Sequence, residues 1–231
     1  MEIELFYQNL YRLQDSVLQQ VFAVPGTFYL TGGTALSRFY FQHRYSDDLD
    51  FFSHEVSSFG FEVREIIQRL SHSGGCEIKQ EVDSRDFKRI LIQKGEVSLK
   101  IDFVADRVKR IGFPEKRGSF LIDTLRNILS NKLCAILNRD EPRDLVDILW
   151  ICRHRRFHWH HILQEAREKE VFALEDLLYR LKNFPLSLIK TVSMIQAYSE
   201  QDCARDLPVL VENILTSSVN TLANPDSLNL E

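Results

Sequence analysis

The spacing of apolar side chains separates the chain into a mixed first half and a helical second half. In the first half, residues 2–22 and 61–71 have helical spacing, and a Gly-Gly pair opens a further helix that reaches about residue 41. Strand-like runs alternate with these helices, at residues 28–31, 48–53, 76–82, 87–93 and 97–104. Helical spacing then dominates, over residues 123–139, 143–153, 158–168, 172–182 and 186–198. We therefore predict an α+β fold, with a mixed sheet and flanking helices in residues 1–118, a helical bundle in 119–215 and a flexible polar tail in 216–231.

One apolar strand carries two carboxylates, Asp48 and Asp50, one residue apart. Side chains alternate between the two faces of a strand, so these carboxylates share a face while Leu49 and Phe51 point into a core. Two like charges on one face repel each other, and a divalent cation relieves that repulsion. Because oxygen ligands of this kind suit Mg²⁺ or Mn²⁺, the pair predicts a metal site.

A Gly-Gly pair, Gly32-Gly33, lies between a strand and the helix that follows it. Such a turn leaves backbone N–H groups free at the start of the helix, where they can hold a phosphate. Two hydroxyl residues have two alternatives each: Thr34 either caps the helix or contacts phosphate, and Ser46 either contacts phosphate or caps a turn. A phosphate site beside a metal site predicts a nucleotide ligand.

Charged residues interrupt the apolar helices of the second half. Lys132 lies within an apolar stripe, where it either meets an anion or extends its ammonium group to the surface. Arg139 is two turns further along the same face, so both cations are expected to reach phosphates at the Gly-Gly turn, in a cleft between the two halves. Asp147, among apolar neighbours, is either a functional carboxylate or half of a buried ion pair with Lys132, Arg139 or Arg143. Asp144 is expected to be more exposed.

Four segments resemble the nucleotidyltransferase superfamily and, more narrowly, the AbiEii/AbiGii toxin family. They are GGTAL at 32–36, RYSDDLDFF at 44–52, SLKIDFV at 98–104 and NKLCAILNRDEPRDLVDIL at 131–149. The resemblance implies a nucleotidyltransferase-like sheet whose third carboxylate is Asp102. The catalytic residues it implies are Asp48, Asp50, Asp102, Lys132 and Asp147, of which Asp48, Asp50 and Asp102 would bind the metal. The predicted nucleotide-binding residues, from these positions and the resemblance together, are Gly32, Gly33, Thr34, Ser46, Lys132 and Arg139.

The activity implied by the resemblance is transfer of a nucleoside monophosphate from an NTP to an acceptor hydroxyl, with the 3′ end of a tRNA as the favoured acceptor. The family also implies a toxin that is neutralised by an antitoxin protein. Two alternatives stay open: a small-molecule nucleotidyltransferase of the aminoglycoside-modifying kind, and a catalytically idle nucleotide-binding module. A haloacid-dehalogenase-like phosphatase fits poorly, because a Gly-Gly turn precedes the Asp-x-Asp pair.

Charge is unevenly distributed along the chain, whose net charge is −4. Residues 100–156 contain 13 Lys and Arg against 8 Asp and Glu, a balance of +5. This excess either forms an electropositive wall for a triphosphate or an RNA backbone, or is an ordinary solvated surface.

The sequence favours a cytoplasmic protein without a membrane anchor. No apolar run approaches the roughly 20 residues that span a bilayer, and the mixed, acidic start is unlike a signal peptide. The four cysteines are scattered without metal-ligand spacing, which indicates reduced thiols.

A histidine cluster follows the second predicted helix of the second half. It comprises His154, His158, His160 and His161, interleaved with Arg153, Arg155 and Arg156. We interpret it as a helix junction, with an RNA-contacting surface and a metal site as alternatives.

Overall fold

The structure is a computed structural model, and it describes residues 2–72 and 75–230. Contacts between residues divide the chain into two compact units. Unit 1 comprises Met1–Phe39, Ser46–Arg107 and Pro114–Asp123, and unit 2 comprises Tyr40–Tyr45, Val108–Phe113 and Thr124–Glu231. The chain therefore leaves unit 1 and returns to it twice before it enters the main part of unit 2.

Unit 1 contains a sheet with helices before, within and between its strands. Its helices are α1 (Glu2–Phe22), α2 (Gly32–Leu36) and α3 (Phe59–His72), and a π-helical turn, Ser37–Phe41, continues α2. Its strands are β1 (Tyr29–Thr31), β2 (Leu49–Ser53), β3 (Glu77–Asp83), β4 (Phe87–Lys94), β5 (Val97–Ala105), β6 (Glu115–Arg117) and β7 (Phe120–Ile122).

The seven strands form one sheet in the order β3-β4-β5-β2-β1-β7-β6. The β2–β5 and β1–β7 pairs are parallel, and the other neighbours are antiparallel. This mixed sheet, with helices around it and helices after it, confirms the predicted fold class. Strands β6 and β7 were not predicted from the sequence, because three residues are too few for alternation to stand out.

One face of the sheet forms the core of unit 1, and helix α1 packs against β5, β7 and α3. The residues of this core that lie on the two central strands are fully buried: Leu49, Phe51, Leu99, Ile101 and Phe103. Their aromatic rings stack, since Phe51 and Phe103 have centroids 5.5 Å apart, and Phe22 of α1 meets Phe51 edge-on. The alternation predicted for both strands is confirmed, and the opposite face is left to the polar residues.

Unit 2 is helical. Its helices are α4 (Leu125–Asn138), α5 (Pro142–His154), α6 (Trp159–Lys169), α7 (Leu174–Lys182) and α8 (Glu200–Leu215), with a 3₁₀ helix at Leu186–Thr191 and short strands β8 (Arg155–Arg156) and β9 (Leu228–Asn229). Helix α4 packs against α5, α6 and α7, and α8 packs against α5, α6 and α7. In the part of the chain that the structure describes, no helix is both long and apolar enough to cross a membrane.

The predicted helix over residues 186–198 is wrong in its second half. After the 3₁₀ helix the backbone is extended and bonds to another strand-like segment: Tyr45 N donates to Ser193 O over 2.8 Å, and Ile195 N donates to His43 O over 2.9 Å. Helix α8 was missed because Pro208 indicated a break. The structure places that proline inside a helix that starts with a reciprocal capping box between Ser199 and Asp202.

The segment predicted to be a flexible tail is attached to unit 2. The Asn220 side chain donates to the carbonyls of Cys152 and Arg155, at 2.6 and 2.8 Å. Strand β9 pairs in parallel with β8. Asn220 thus bonds backbone carbonyls at the end of α5, and the flexibility of the rest of the tail stays a prediction.

Candidate functional site

The polar face of the central strands in unit 1 carries a row of four register partners. Asp50 of β2 lies beside Asp102 of β5, Thr31 of β1 lies on the other side of Asp50, and Arg89 of β4 lies opposite Asp102. Side chains of register partners point to the same face of a sheet. We call this face, with Asp48, Asp50, Asp102, Arg89 and Lys100 as its charged members, the acidic face.

Asp48 and Asp102 of the acidic face each pair with a cation. Lys100 Nζ lies 2.7 Å from Asp48 Oδ2. Arg89 binds Asp102 in bidentate fashion, with Nε donating to Oδ1 over 2.7 Å and Nη2 donating to Oδ2 over 2.8 Å. The Asp102 side chain is 11% exposed and that of Arg89 is 33% exposed. Arg89 was not predicted from the sequence to lie on this face.

Gly32 packs directly against Asp50. Its φ is +70°, and a Cβ atom built on it would lie 2.6 Å from Asp50 Oδ2. A side chain at position 32 would therefore meet both backbone strain and the carboxylate, so glycine is required for close approach. Strand β2 begins at Leu49, one residue later than predicted, so Asp48 precedes the strand and Asp50 lies within it.

Thr34 and Ser46 are buried and hold the segment before Asp48 in place. The Thr34 hydroxyl donates to the Asp48 carbonyl and lies 2.8 Å from the Ser46 hydroxyl. The backbone of Ser46 is bonded as well, since its N–H donates to the Tyr11 hydroxyl and its carbonyl accepts from Gln14 Nε2. Both hydroxyl residues thereby position Asp48, and their contact with a nucleotide stays a prediction.

A divalent cation fits the acidic face through two carboxylates. Asp48 and Asp50 supply hard oxygen donors, and Mg²⁺ is commonly held by one or two protein carboxylates together with substrate phosphates. Asp102 has both oxygens bonded to Arg89. Within residues 2–72 and 75–230, no group of three His, Cys, Asp or Glu side chains is arranged to hold a metal ion. The three-carboxylate metal site expected from the sequence stays a prediction.

The charged residues predicted in the second half meet in a buried cluster of unit 2. Lys132 Nζ lies 2.6 Å from Asp144 Oδ1 and 2.7 Å from Asp147 Oδ2. Arg44 binds Asp147 in bidentate fashion, with both distances 2.7 Å, and Arg139 Nε donates to Asp144 Oδ2 over 2.8 Å. We call these five residues, together with His43, the ionic cluster.

The ionic cluster corrects the exposure expected for Asp144 and identifies the partners of Asp147. Asp144 is 1% exposed, because Lys132 and Arg139 both pair with it. Arg44 binds Asp147 and was not predicted as its partner. Of the cations proposed for Asp147, Lys132 is a partner, whereas Arg139 serves Asp144 and Arg143 pairs with Glu141. The predicted buried ion pair joining two helices is thus present, between α4 and α5.

The carboxylates of the ionic cluster stay ionised despite their burial. Burial opposes ionisation of Asp147, but Arg44 and Lys132 outweigh it and hold the pKa of that carboxyl well below its usual range. Burial likewise disfavours the charged Lys132, but Asp147 and Asp144 raise its pKa above the ordinary value. The cluster therefore carries three cations and two anions, a net charge of +1.

His43 completes the ionic cluster as a neutral ring. Its Nε2 lies 2.8 Å from Asp147 Oδ1, and the ring stacks on Trp150 with centroids 5.2 Å apart. Burial lowers the pKa of His43, against the raising effect of Asp147. Nδ1 is buried with no hydrogen-bond partner among the described residues, as expected of an imidazole that donates from Nε2 and stays uncharged.

The histidines after α5 lie at a helix junction, as we interpreted them. His154 ends α5, where its ring stacks on Trp150 at 4.9 Å and its Nδ1 lies 2.8 Å from the Trp150 carbonyl. His158, His160 and His161 are exposed at the start of α6. No metal-binding group of side chains occurs here or elsewhere in the described ranges.

The structure thus gathers the predicted site residues into two groups. Unit 1 holds those before residue 120, which are Gly32, Gly33, Thr34, Ser46, Asp48, Asp50 and Asp102, and unit 2 holds Lys132, Arg139 and Asp147. Sequence reasoning missed the two arginines and the histidine that pair with the carboxylates, which are Arg44, Arg89 and His43.

Comparison with known proteins places the chain in a family. A relative, the uncharacterized protein aq_aa25 of Aquifex aeolicus (strain VF5), is 30% identical over 152 residues, which are 63% of this chain and 68% of that protein. The solved structure of JHP933 from Helicobacter pylori shares the fold, with a TM-score of 0.62, 20% sequence identity, and coverage of 91% of this chain and 92% of that chain. Residues 16–202 match the family described as nucleotidyl transferase AbiEii toxin, type IV toxin–antitoxin system. With four fifths of its residues matched, the chain belongs to the AbiEii family of nucleotidyltransferase toxins.

Proposed function

We propose that this protein transfers a nucleoside monophosphate from an NTP to an acceptor hydroxyl, and that the transfer depends on Mg²⁺ or Mn²⁺. The acceptor oxygen would form a bond to the α-phosphorus, and pyrophosphate and the hydroxyl proton would leave. The observation that carries the proposal is the acidic face, where Asp50 packs on Gly32 and Asp48 is held beside it.

Asp48 and Asp50 would hold the cation, which supplies positive charge to the triphosphate. The remaining contacts of this site position those two carboxylates. Gly32 leaves room for Asp50, and Thr34 anchors the backbone at Asp48. Lys100 lies 2.7 Å from Asp48 and would limit the repulsion between carboxylates before nucleotide arrives.

Lys132 is proposed to neutralise negative charge on the phosphates during transfer. Two carboxylates, Asp144 and Asp147, fix its ammonium group, which supports a defined position for the charge. Because the ionic cluster has a net charge of +1, an anion would still be attracted to it. Asp147 is fully buried, so its proposed contribution is to orient Lys132.

The acceptor we favour is the 3′ end of a tRNA, and the partner we expect is an antitoxin protein. Membership of a toxin–antitoxin family supports both the toxic activity and the partner. The balance of +5 over residues 100–156 supports a polyanionic acceptor, because an amino sugar is cationic and favours an acidic cleft.

The test incubates purified protein with each α-³²P-labelled NTP, total RNA, and either Mg²⁺ or EDTA. We expect label on RNA only with the metal, and loss of labelling by orders of magnitude in Asp48→Ala and Asp50→Ala. The matched control is Asp86→Asn, an exposed carboxylate that pairs with Arg107 in the same unit.

Two other results of this assay would reject parts of the proposal. Labelling of an aminoglycoside in place of RNA would favour the small-molecule alternative. NTP binding by wild type without transfer to any acceptor would favour the catalytically idle module.

A further inference from the structure

We propose that Arg89, held by Asp102, and Lys100 together supply the charge that a second divalent cation would supply at the acidic face. The face would then bind one divalent cation, through Asp48 and Asp50, and Asp102 would be a positioning residue. The inference rests on the proposed function and deepens it, because it assigns the number of cations and a role to Arg89.

The backbone places Arg89 directly opposite Asp102. The two residues are direct register partners in the antiparallel β4–β5 ladder, which runs unbroken from Phe87↔Val104 to Lys94↔Val97. Direct cross-strand partners have Cβ atoms about 5 Å apart, so the pairing persists without any change in the chain path. Asp102 is also fixed from its other side, because β2 pairs with β5 at Asp50.

Both oxygens of Asp102 already accept a hydrogen bond from a cation. Nε and Nη2 of Arg89 each take one carboxylate oxygen, at 2.7 and 2.8 Å. This parallel, two-point geometry is the strongest arrangement of an arginine with a carboxylate. A cation that took Asp102 as a ligand would have to share these oxygens with a guanidinium group, whose positive charge repels it, in a site where the Asp102 side chain is largely buried.

Arg89 keeps one donor group, Nη1, that can bind an anion. Its Nη1 makes no hydrogen bond with any residue that the structure describes, and the side chain is one third exposed. An arginine with one edge on a carboxylate can present its other edge to a phosphate oxygen. Arg89 and Lys100 together contribute two positive charges beside the three carboxylates. These two charges equal the charge of one divalent cation.

The test counts bound cations. Purified wild type would be titrated with Mn²⁺ in the presence of α,β-methylene nucleoside triphosphates, which cannot be cleaved, with free Mn²⁺ measured by its electron paramagnetic resonance signal. We expect one bound Mn²⁺ per chain. Asp102→Asn should keep that Mn²⁺ within about threefold of the wild-type affinity, whereas Asp50→Asn should lose it.

The role of Arg89 is tested by the affinity for the nucleotide analogue. Arg89→Ala should weaken analogue binding by about tenfold or more while one Mn²⁺ still binds, and Arg89→Lys should restore only part of the loss. Arg107→Ala, which removes the arginine of the exposed pair with Asp86, should change neither quantity. Circular dichroism and urea unfolding would confirm that each variant is folded.

Opposite results would overturn the inference. Two bound Mn²⁺ in wild type, a loss of tenfold or more in Mn²⁺ affinity in Asp102→Asn, or unchanged analogue affinity in Arg89→Ala would each do so, with the proposed function intact. A wild-type protein that binds neither Mn²⁺ nor any analogue would instead reject the proposed function, and the inference with it.

Discussion

Gly32 is the residue on which the geometry of the acidic face depends most directly. Replacement by alanine adds a Cβ at 2.6 Å from Asp50 Oδ2, so the carboxylate must move. We expect Gly32→Ala to reduce nucleotide transfer by at least tenfold, as measured in the RNA-labelling assay.

Gly95 provides the control for backbone strain alone. Its φ is +60°, and a Cβ there would meet nothing within 4 Å. Gly95→Ala should cost about 1–2 kcal/mol of stability, the usual penalty for a left-handed alanine, and should leave transfer unchanged. Equal transfer by the two variants would show that Asp50 needs no such close fit.

The pH dependence of stability provides a test at His43. Because burial lowers its pKa in the folded state, the unfolded chain binds more protons below the ordinary value of about 6.5. Stability is therefore lost as pH falls from about 6.5 toward the folded pKa. We expect the free energy of unfolding in urea to fall over this window, and His43→Gln to remove that part of the fall.

The exposed His160 is the matched control for that experiment. His160→Gln should keep the wild-type pH dependence. An identical slope in His43→Gln and wild type would mean that the pKa of His43 is the same in the folded and unfolded states, which would contradict the prediction. Asp147 affects stability in a different pH range from His43. Its pKa is lowered in the folded state, so its contribution to the free energy of unfolding is present above about pH 4 and is lost at lower pH.

Sequence reasoning at the residue scale succeeded where chemistry follows from short spacing. Alternation placed Asp48 and Asp50 on one polar face, and the resemblance added Asp102, whose strand β5 pairs with β2. Arg89 could have been found as well, because a two-residue turn between Lys94 and Val97 sets it opposite Asp102. The partner of Arg44 could not, because 103 residues separate it from Asp147 and no local pattern spans that distance.

At the scale of elements, Arg44 ties a short extended segment to helix α5. It is 1% exposed and binds both oxygens of Asp147. Removing one partner of a buried pair typically costs about 3–5 kcal/mol. We expect Arg44→Ala to be destabilised to that extent, as measured by the midpoint of urea unfolding.

The comparison for Arg44 is Arg107, which makes an exposed bidentate pair with Asp86. Water screens such a pair, so Arg107→Ala should leave the midpoint almost unchanged. A small effect in both variants would mean that Lys132 and His43 suffice to hold Asp147.

The predicted elements were most accurate where one periodicity ran for many residues. Helix α1 matches its prediction at both ends, and β4 and β5 differ from theirs by one residue. Errors occurred where tertiary contacts override local signals. The residues after Thr191 are extended because they bond to residues 43–45, and α8 continues through Pro208 because its apolar face is buried.

At the scale of the whole molecule, toxicity is the property to test. Expression of the wild type without its antitoxin should arrest growth, and Lys132→Ala should relieve the arrest and abolish RNA labelling. We expect this because Lys132, the cation fixed between Asp144 and Asp147, is proposed to neutralise charge on the phosphates. Growth rate and labelling of purified protein would be measured together.

Lys182→Ala, at an exposed position of α7, is the control for that experiment and should remain toxic. Binding of RNA should also weaken steeply with salt, because a polyanion releases counterions when it binds. Growth that is unaffected by the wild type, at a level where the folded protein is detected, would contradict the toxic activity.

Because the chain alternates between the two units, one part of unit 2 is synthesised well before the rest. Arg44 is made 103 residues before Asp147, which at about 5–20 residues per second is a delay of roughly 5–20 s. During that interval residues 40–45 have been synthesised without the helices of unit 2 on which they pack. Unit 2 therefore cannot be completed as an independent late event, and an antitoxin or chaperone that binds the nascent chain would meet this segment uncovered.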